Sequence, residues 1–145
     1  MLAGGGFIGI ELMENLRELG LDVTVVQRPK QLLNPLDADM AAFLHAQLRQ
    51  KGVRLHLGRT VEGFAADGDR VNVLIKDEAP LTADMVVLAI GVTPDTQLAR
   101  DAGLELGIKG SIVVNDRMET SAPDIYAVGD AVQVKHFVTG ADALL

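Results

Sequence analysis

Apolar positions along the chain follow two alternating periods, and the switches between them divide it into helices and strands. From Phe7 the residues Phe7, Ile8, Ile10, Leu12, Met13, Leu16 and Leu19 recur at helical spacing, and Gly20 follows as a stop. Leu21 to Val26 is an almost continuous apolar run, which suits a strand buried on both faces. Asp37 to Lys51 returns to the helical period with Met40, Phe43, Leu44 and Leu48 on one expected face, and Gly52 closes it before a short strand, Val53 to Leu57. Thr60 to Phe64 and Arg70 to Ile75 then alternate apolar with polar around Ala66, Asp67, Gly68 and Asp69, a hairpin pattern. Lys76 to Pro80 turns the chain into the apolar strand Met85 to Ile90.

Past Gly91 the pattern weakens. A short helical stretch near Thr96 to Ala102, glycines at 103, 107 and 110, and a strand at Ser111 to Val114 precede a second short strand, Ile125 to Val128. That strand runs into Gly129 and Asp130, where a helix is expected to begin. At the other end, Met1 to Ala3 is only a stub of strand, which predicts a truncated first element. The fold class expected is α/β: a Rossmann-like parallel sheet with an inserted antiparallel β-meander, in three layers, followed by a short C-terminal segment.

Composition narrows the classes further. With 145 residues and 48% hydrophobic content the chain can bury a core. Thirteen basic against 20 acidic residues give a net charge of -7, with the cations scattered, which disfavours nucleic acid or an anionic membrane as partner. No apolar run reaches membrane-spanning length, so a cytoplasmic protein is expected. The absence of cysteine excludes disulfides and any redox thiol within these residues.

The chemistry is concentrated in GGGFIGIE, residues 4 to 11. Gly4, Gly6 and Gly9 fit GxGxxG between a strand stub and a helix, the context in which glycines turn tightly, approach a pyrophosphate and let helix and strand pack. The pyrophosphate would rest on the helix N-terminus. The alternative is a glycine turn that serves packing only. Phe7 and Ile8 read equally as core positions, and Glu11 as a carboxylate placed to favour the helix dipole. At the end of the second strand, where NAD-selective domains carry an acidic residue, stands Gln27, followed by Arg28 with Lys30 nearby. Without a carboxylate to repel a 2'-phosphate, this leans toward NADPH or dual use; Arg28 as a solvated surface residue is the alternative.

TSAPDIYAVGD at residues 120 to 130, together with GGGFIGIE, resembles the FAD-dependent pyridine nucleotide-disulfide oxidoreductases. VKHFVTG at residues 134 to 140 is similar to the coenzyme A disulfide reductase and NADH oxidase branch. The resemblance implies an NAD(P)-binding domain over 1-110, its first strand truncated, and over 111-145 a partial return into an FAD-binding domain. It further implies that Phe7 lies over the flavin and Ile8 lines the nicotinamide site. Glu11 would point toward the ring junction, and Gly91, in MVVLAIGVTP, would abut the nucleotide. Gly129 would permit close approach to FAD, with Asp130 accepting from a ribityl hydroxyl. For Gly91 a plain turn, and for Asp130 a helix N-cap, remain alternatives. His136 reads as structural, and His45 and His56 are isolated.

By this resemblance the chain is about a third of an enzyme that passes hydride from NAD(P)H to FAD and on to a disulfide, oxygen or peroxide. The first FAD fingerprint, the redox cysteine and the dimerisation domain of a homodimer would lie elsewhere. Two rivals stand beside it: a freestanding, non-catalytic nucleotide-binding module, and a chain whose tail from Ser111 docks on a second copy.

Overall fold

The structure is a computed structural model that describes residues 1-144. It holds two compact units, Met1–Gly91 and the remainder from Val92. In the first unit, β1 (Leu2–Ala3), β2 (Thr24–Gln27), β3 (Arg54–Leu57) and a strand at Val87–Leu88 form a parallel sheet with β1 inside it. Both neighbours of β1 run parallel to it, with Leu2 opposite Val25 and Val87. The stub of strand expected from the sequence is therefore a central strand of two residues, buried on both faces: Leu2 is 0% and Ala3 3% exposed.

Residues alternate across this sheet, as strand geometry requires. One face presents Leu2, Val23 and Val25 to Met13 of α1 (Phe7–Glu18) and Leu48 of α2 (Ala38–Gln50). The other presents Val26 with Met1 and Val86 to Val73 and Ile75. These last belong to an antiparallel meander of β4 (Val61–Asp67), β5 (Arg70–Ile75) and β6 (Leu81–Ala83), in which β5 is central. With helices on one face and the meander on the other, the unit has the expected three layers. The strand Val87–Leu88 is β7.

Local chemistry sets the boundaries. Both α1 and α2 stop two residues before a glycine in the left-handed region, Gly20 (φ 81) and Gly52 (φ 83). Three expectations require correction. The buried side of α2 is Ala41, Leu44 and Leu48, while Met40 and Phe43 are exposed, because the helix is rotated to bring the small Ala41 against the sheet. The second strand begins at Thr24, since Leu21 and Asp22 lie exposed in the turn after α1. Only Val87 and Leu88 of the run Met85 to Ile90 are in the sheet, because the two-residue β1 offers no longer partner.

The second unit carries α3 (Gln97–Asp101), a 3-10 turn at Ile108–Gly110, and a small sheet of β8 (Ile112–Val113), β9 (Val132–Lys135) and β10 (Asp142–Ala143). Gln133 on β9 ties the glycine-rich turn, its Oε1 accepting the Ile108 N–H at 2.8 Å. Ile125 to Val128 is loop rather than strand, joined to the chain before it by a single bridge between Glu119 and Tyr126. The Ile125 carbonyl accepts from both the N–H and the Oγ1 hydroxyl of Thr120, each at 2.9 Å, and the positive φ of Asp124 (60) and Gly129 (90) on either side confines the pairing to this bridge. Among the described residues no helix follows Asp130. The β-branched Val132 and Val134 enter β9, which pairs in parallel with β8, so the helix N-cap reading of Asp130 does not hold.

Because Leu2 is wholly enclosed between α1 and its neighbouring strands, Leu2→Ala is expected to lower the unfolding free energy by about 3 kcal/mol in urea denaturation. A loss below about 1 kcal/mol would show that β1 is not the packing centre of the first unit.

Candidate functional site

At the carboxyl end of β1 the backbone is pressed between two others. Gly4, at φ 112, donates its N–H to the Val26 carbonyl at 2.9 Å. A Cβ on Gly4 would stand 2.1 Å from the Ala89 carbonyl oxygen, a distance no side chain tolerates. Ala89 is held there by its own N–H bond to the Ala3 carbonyl, 2.8 Å. Gly9, in the first turn of α1, comes equally close from the other side: its Cβ would lie 2.5 Å from the Gly4 oxygen. The first and third glycines of the motif are therefore demanded by packing.

Gly6 differs from both. A Cβ there would meet nothing within 4 Å, and Gly6 forms the N-cap of α1 in an extended conformation with no side-chain cap. The first turn of α1 holds no acidic residue, so its unpartnered N–H groups and the positive end of the helix dipole face open space. Phe7 and Ile8, at 67% and 59% exposure, are not core residues. Glu11 is exposed and lies beyond the first turn, where the dipole no longer reaches it.

Gly5, between the first two glycines of the motif, is held from two directions. Gly5 donates its N–H to Oε1 of Gln27 at 2.9 Å, and its carbonyl accepts the Leu33 N–H at 2.9 Å. Gln27 Nε2 reaches the Gln31 carbonyl at 3.4 Å. The fully buried Leu32 packs its side chain against Gly5. Leu33 sits at φ 46, a strained conformation for a branched residue. His45 on α2 completes the clamp, its Nε2 accepting the Leu32 N–H at 3.1 Å. Burial, then the charge of Arg49 one turn along α2, hold the His45 ring below the ordinary 6.5 of histidine and favour the neutral form that can accept.

Of the residues singled out in the sequence, Gly4, Gly6, Phe7, Ile8, Gly9, Gln27 and Arg28 gather at the carboxyl ends of β1 and β2, and Gly91 follows β7 beside them. Arg28 is exposed and among the described residues makes no salt bridge. Gly91 takes φ 119 with open space around its Cβ position. Gly129 and Asp130 belong to the second unit, both exposed. His136 accepts the Thr139 N–H at 3.2 Å and so braces a turn. Gly5, Leu32 and His45 escaped sequence reading. Gly5 is one of three consecutive glycines, and the pair Leu32 and Leu33 is an apolar interruption of a polar loop, but nothing in the spacing connects either to a histidine thirteen positions on.

The family model for pyridine nucleotide-disulphide oxidoreductases matches residues 1-143. The chain belongs to this family. An NADH oxidase of Methanocaldococcus jannaschii is 40% identical over 144 residues, which are 99% of this chain and 32% of that relative. The structure of reduced CoADR-RHD from Bacillus anthracis shares 43% identity at a TM-score of 0.92, covering 99% of this chain and 26% of the other. An engineered water-forming NADPH oxidase bound to NADPH, made from the Lactobacillus brevis NADH oxidase, superposes at a TM-score of 0.90 with 32% identity, over 99% of this chain and 32% of the other. The chain thus spans about a third of the length of the curated relatives it matches. Among the described residues no helix is long and apolar enough to cross a membrane.

The two packing glycines and the open one separate in a substitution series. Gly9→Ala, which drives a methyl group onto the Gly4 carbonyl, is expected to destabilise the first unit by about 1–3 kcal/mol. Gly6→Ala, entering open space in an extended conformation, should cost under about 1 kcal/mol. Thermal denaturation of both variants checks the difference, and equal losses would contradict the geometry.

Proposed function

We propose that this chain is the NAD(P)H-binding portion of a flavoprotein oxidoreductase that passes hydride from NAD(P)H to FAD and on to a disulfide, oxygen or peroxide. The observation that carries the reading is the loop from Gly4 to Gly9, in which two glycines are consumed by packing and the third is left facing solvent at an uncapped helix end. That opening suits a pyrophosphate: it offers N–H donors, a positive dipole end and no side chain to obstruct approach. The nicotinamide cofactor supplies the hydride when bound. The chain's own part is to hold and orient. Phe7 and Ile8 offer an apolar surface at the mouth of the loop, and Gly91 leaves the facing backbone bare.

For the second unit the same reading makes 111-145 the return into an FAD-binding domain, with 1-110 as the NAD(P)-binding domain. The open space at Gly129 and the exposed carboxylate of Asp130 support it, since a ribityl hydroxyl needs an accessible acceptor. Glu11 would face the ring junction. The homodimer that the resemblance implies, and the cytoplasmic setting expected from the lack of a membrane-length apolar run, belong to this proposal.

NADPH is the nucleotide favoured. Gln27 carries no charge and its Oε1 is engaged by Gly5, so the position presents nothing that would repel a 2'-phosphate. Arg28 beside it is exposed and carries the needed charge. The five substitutions in the engineered NADPH oxidase include an aspartate-to-alanine change and an adjacent alanine-to-arginine change, the same charge logic in a relative.

Calorimetric titration tests the proposal, with FAD added separately as a control. The expected result is micromolar to sub-millimolar binding of NADPH, weaker binding of NADH, and no FAD uptake. Arg28→Ala is expected to reduce NADPH affinity about tenfold at low salt while leaving NADH affinity unchanged. A folded chain that binds neither nucleotide would overturn the reading, and tighter binding of NADH would overturn the NADPH preference.

A further inference from the structure

We infer that His45 is a positioning residue for the dinucleotide loop, holding it through Leu32 and requiring an unprotonated ring to do so. The inference rests on the nucleotide-binding reading above but concerns a residue that touches no part of the motif. His45 Nε2 accepts the Leu32 N–H at 3.1 Å, and the next residue, Leu33, donates to the Gly5 carbonyl at 2.9 Å. Between these two bonds the chain passes through the left-handed conformation of Leu33, which persists only where its surroundings hold it. Leu32 meanwhile fills the space against Gly5 and is wholly buried. One imidazole nitrogen on α2 is thereby connected to the backbone of the glycine loop in two steps.

The connection works only one way. Nε2 is an acceptor in neutral imidazole with the proton on Nδ1, and a donor in imidazolium. Protonation would set a ring N–H against the Leu32 N–H, so the bond would be lost and the turn at Leu33 released. Of the charged or titratable groups on α2, on the loop before it and on β3 packed against α2, namely Arg28, Lys30, Asp37, Asp39, Arg49, Arg54 and His56, it is Arg49 whose charge registers at the ring, and it opposes protonation. Burial acts in the same direction. With the folded pKa below the unfolded one, the contribution is complete above about pH 6.5 and is lost as pH falls through the lower folded value. The bond holds the loop at neutral pH and releases it in acid.

The test measures NADPH affinity of the 145-residue chain between about pH 5 and about pH 8, while NMR follows the His45 ring nitrogens and exchange of the Leu32 and Gly5 amides. Wild type should lose about fivefold or more in affinity as His45 protonates, the size of one net hydrogen bond, with faster amide exchange on the same titration curve. His45→Gln can place a non-titrating oxygen near Nε2, and His45→Leu can place none. The glutamine variant should keep affinity and lose the pH step, while the leucine variant should bind about fivefold more weakly at every pH. Should His45→Gln fail to fold, the wild-type amide titration without nucleotide still decides the matter. A pH step that survives in His45→Leu, or amide exchange blind to His45 protonation, would overturn this inference. Failure of every form to bind NADPH would instead count against the nucleotide reading, and the amide titration would still stand or fall by itself.

Discussion

Two backbone approaches that leave no room for a methyl group determine how the first unit is put together: Gly4 on the Ala89 carbonyl and Gly9 on the Gly4 carbonyl. They set the distance of α1 from the sheet and bring the end of β7 beside the end of β1. Everything else at that edge is built outward from them. The N-terminus of α1 can stand over the sheet's carboxyl end only because Gly9 lets the helix descend onto the loop. Gly6 remains open for the complementary reason, that its neighbours have already absorbed the packing. A motif of three glycines thus divides its labour between structure and access, and side-chain room tells the two apart where φ does not.

The central strand illustrates how little regular structure such a site needs. β1 is only two residues long, yet it pairs on both sides and buries Leu2 toward the helices while Met1 and Ala3 take the meander side of the sheet. The meander replaces a crossover helix as the second cover, and its inner residues Val73 and Ile75 meet Val26 where a helix would have offered a wider apolar stripe. A parallel sheet must be covered on both faces; the kind of element that covers it is free.

Polar groups around the loop form a brace. Gln27, at the position from which acidic residues recognise a ribose in related domains, turns its Oε1 inward to Gly5. The amide oxygen is thereby spent on shaping the loop, and the exposed Arg28 is the charged residue beside it. His45 joins the brace from the helix layer. Leu33 follows the Leu32 that His45 holds and donates its own N–H to the Gly5 that Gln27 holds, so its left-handed turn is fixed on both sides.

Read from the residues alone, the chain declares its class: the helical periods after Phe7 and Asp37, the hairpin around Gly68, the glycine spacing and the GD motif are local patterns, and local patterns survive in sequence. The element order and the three layers followed from them. What sequence misplaced were strand extents, the exposed Met40 and Phe43, and the segment from Ile125 to Val132, because strand length depends on the partner and helix rotation on which side chain fits the sheet. The individual roles of the three glycines were suggested by spacing, but only distances to Ala89 and Gly4 separate a glycine needed for packing from one left open. The brace from His45 through Leu32 to Gly5 was not legible at all. It joins residues far apart in the chain through backbone groups, which every residue carries and which no sequence pattern can distinguish.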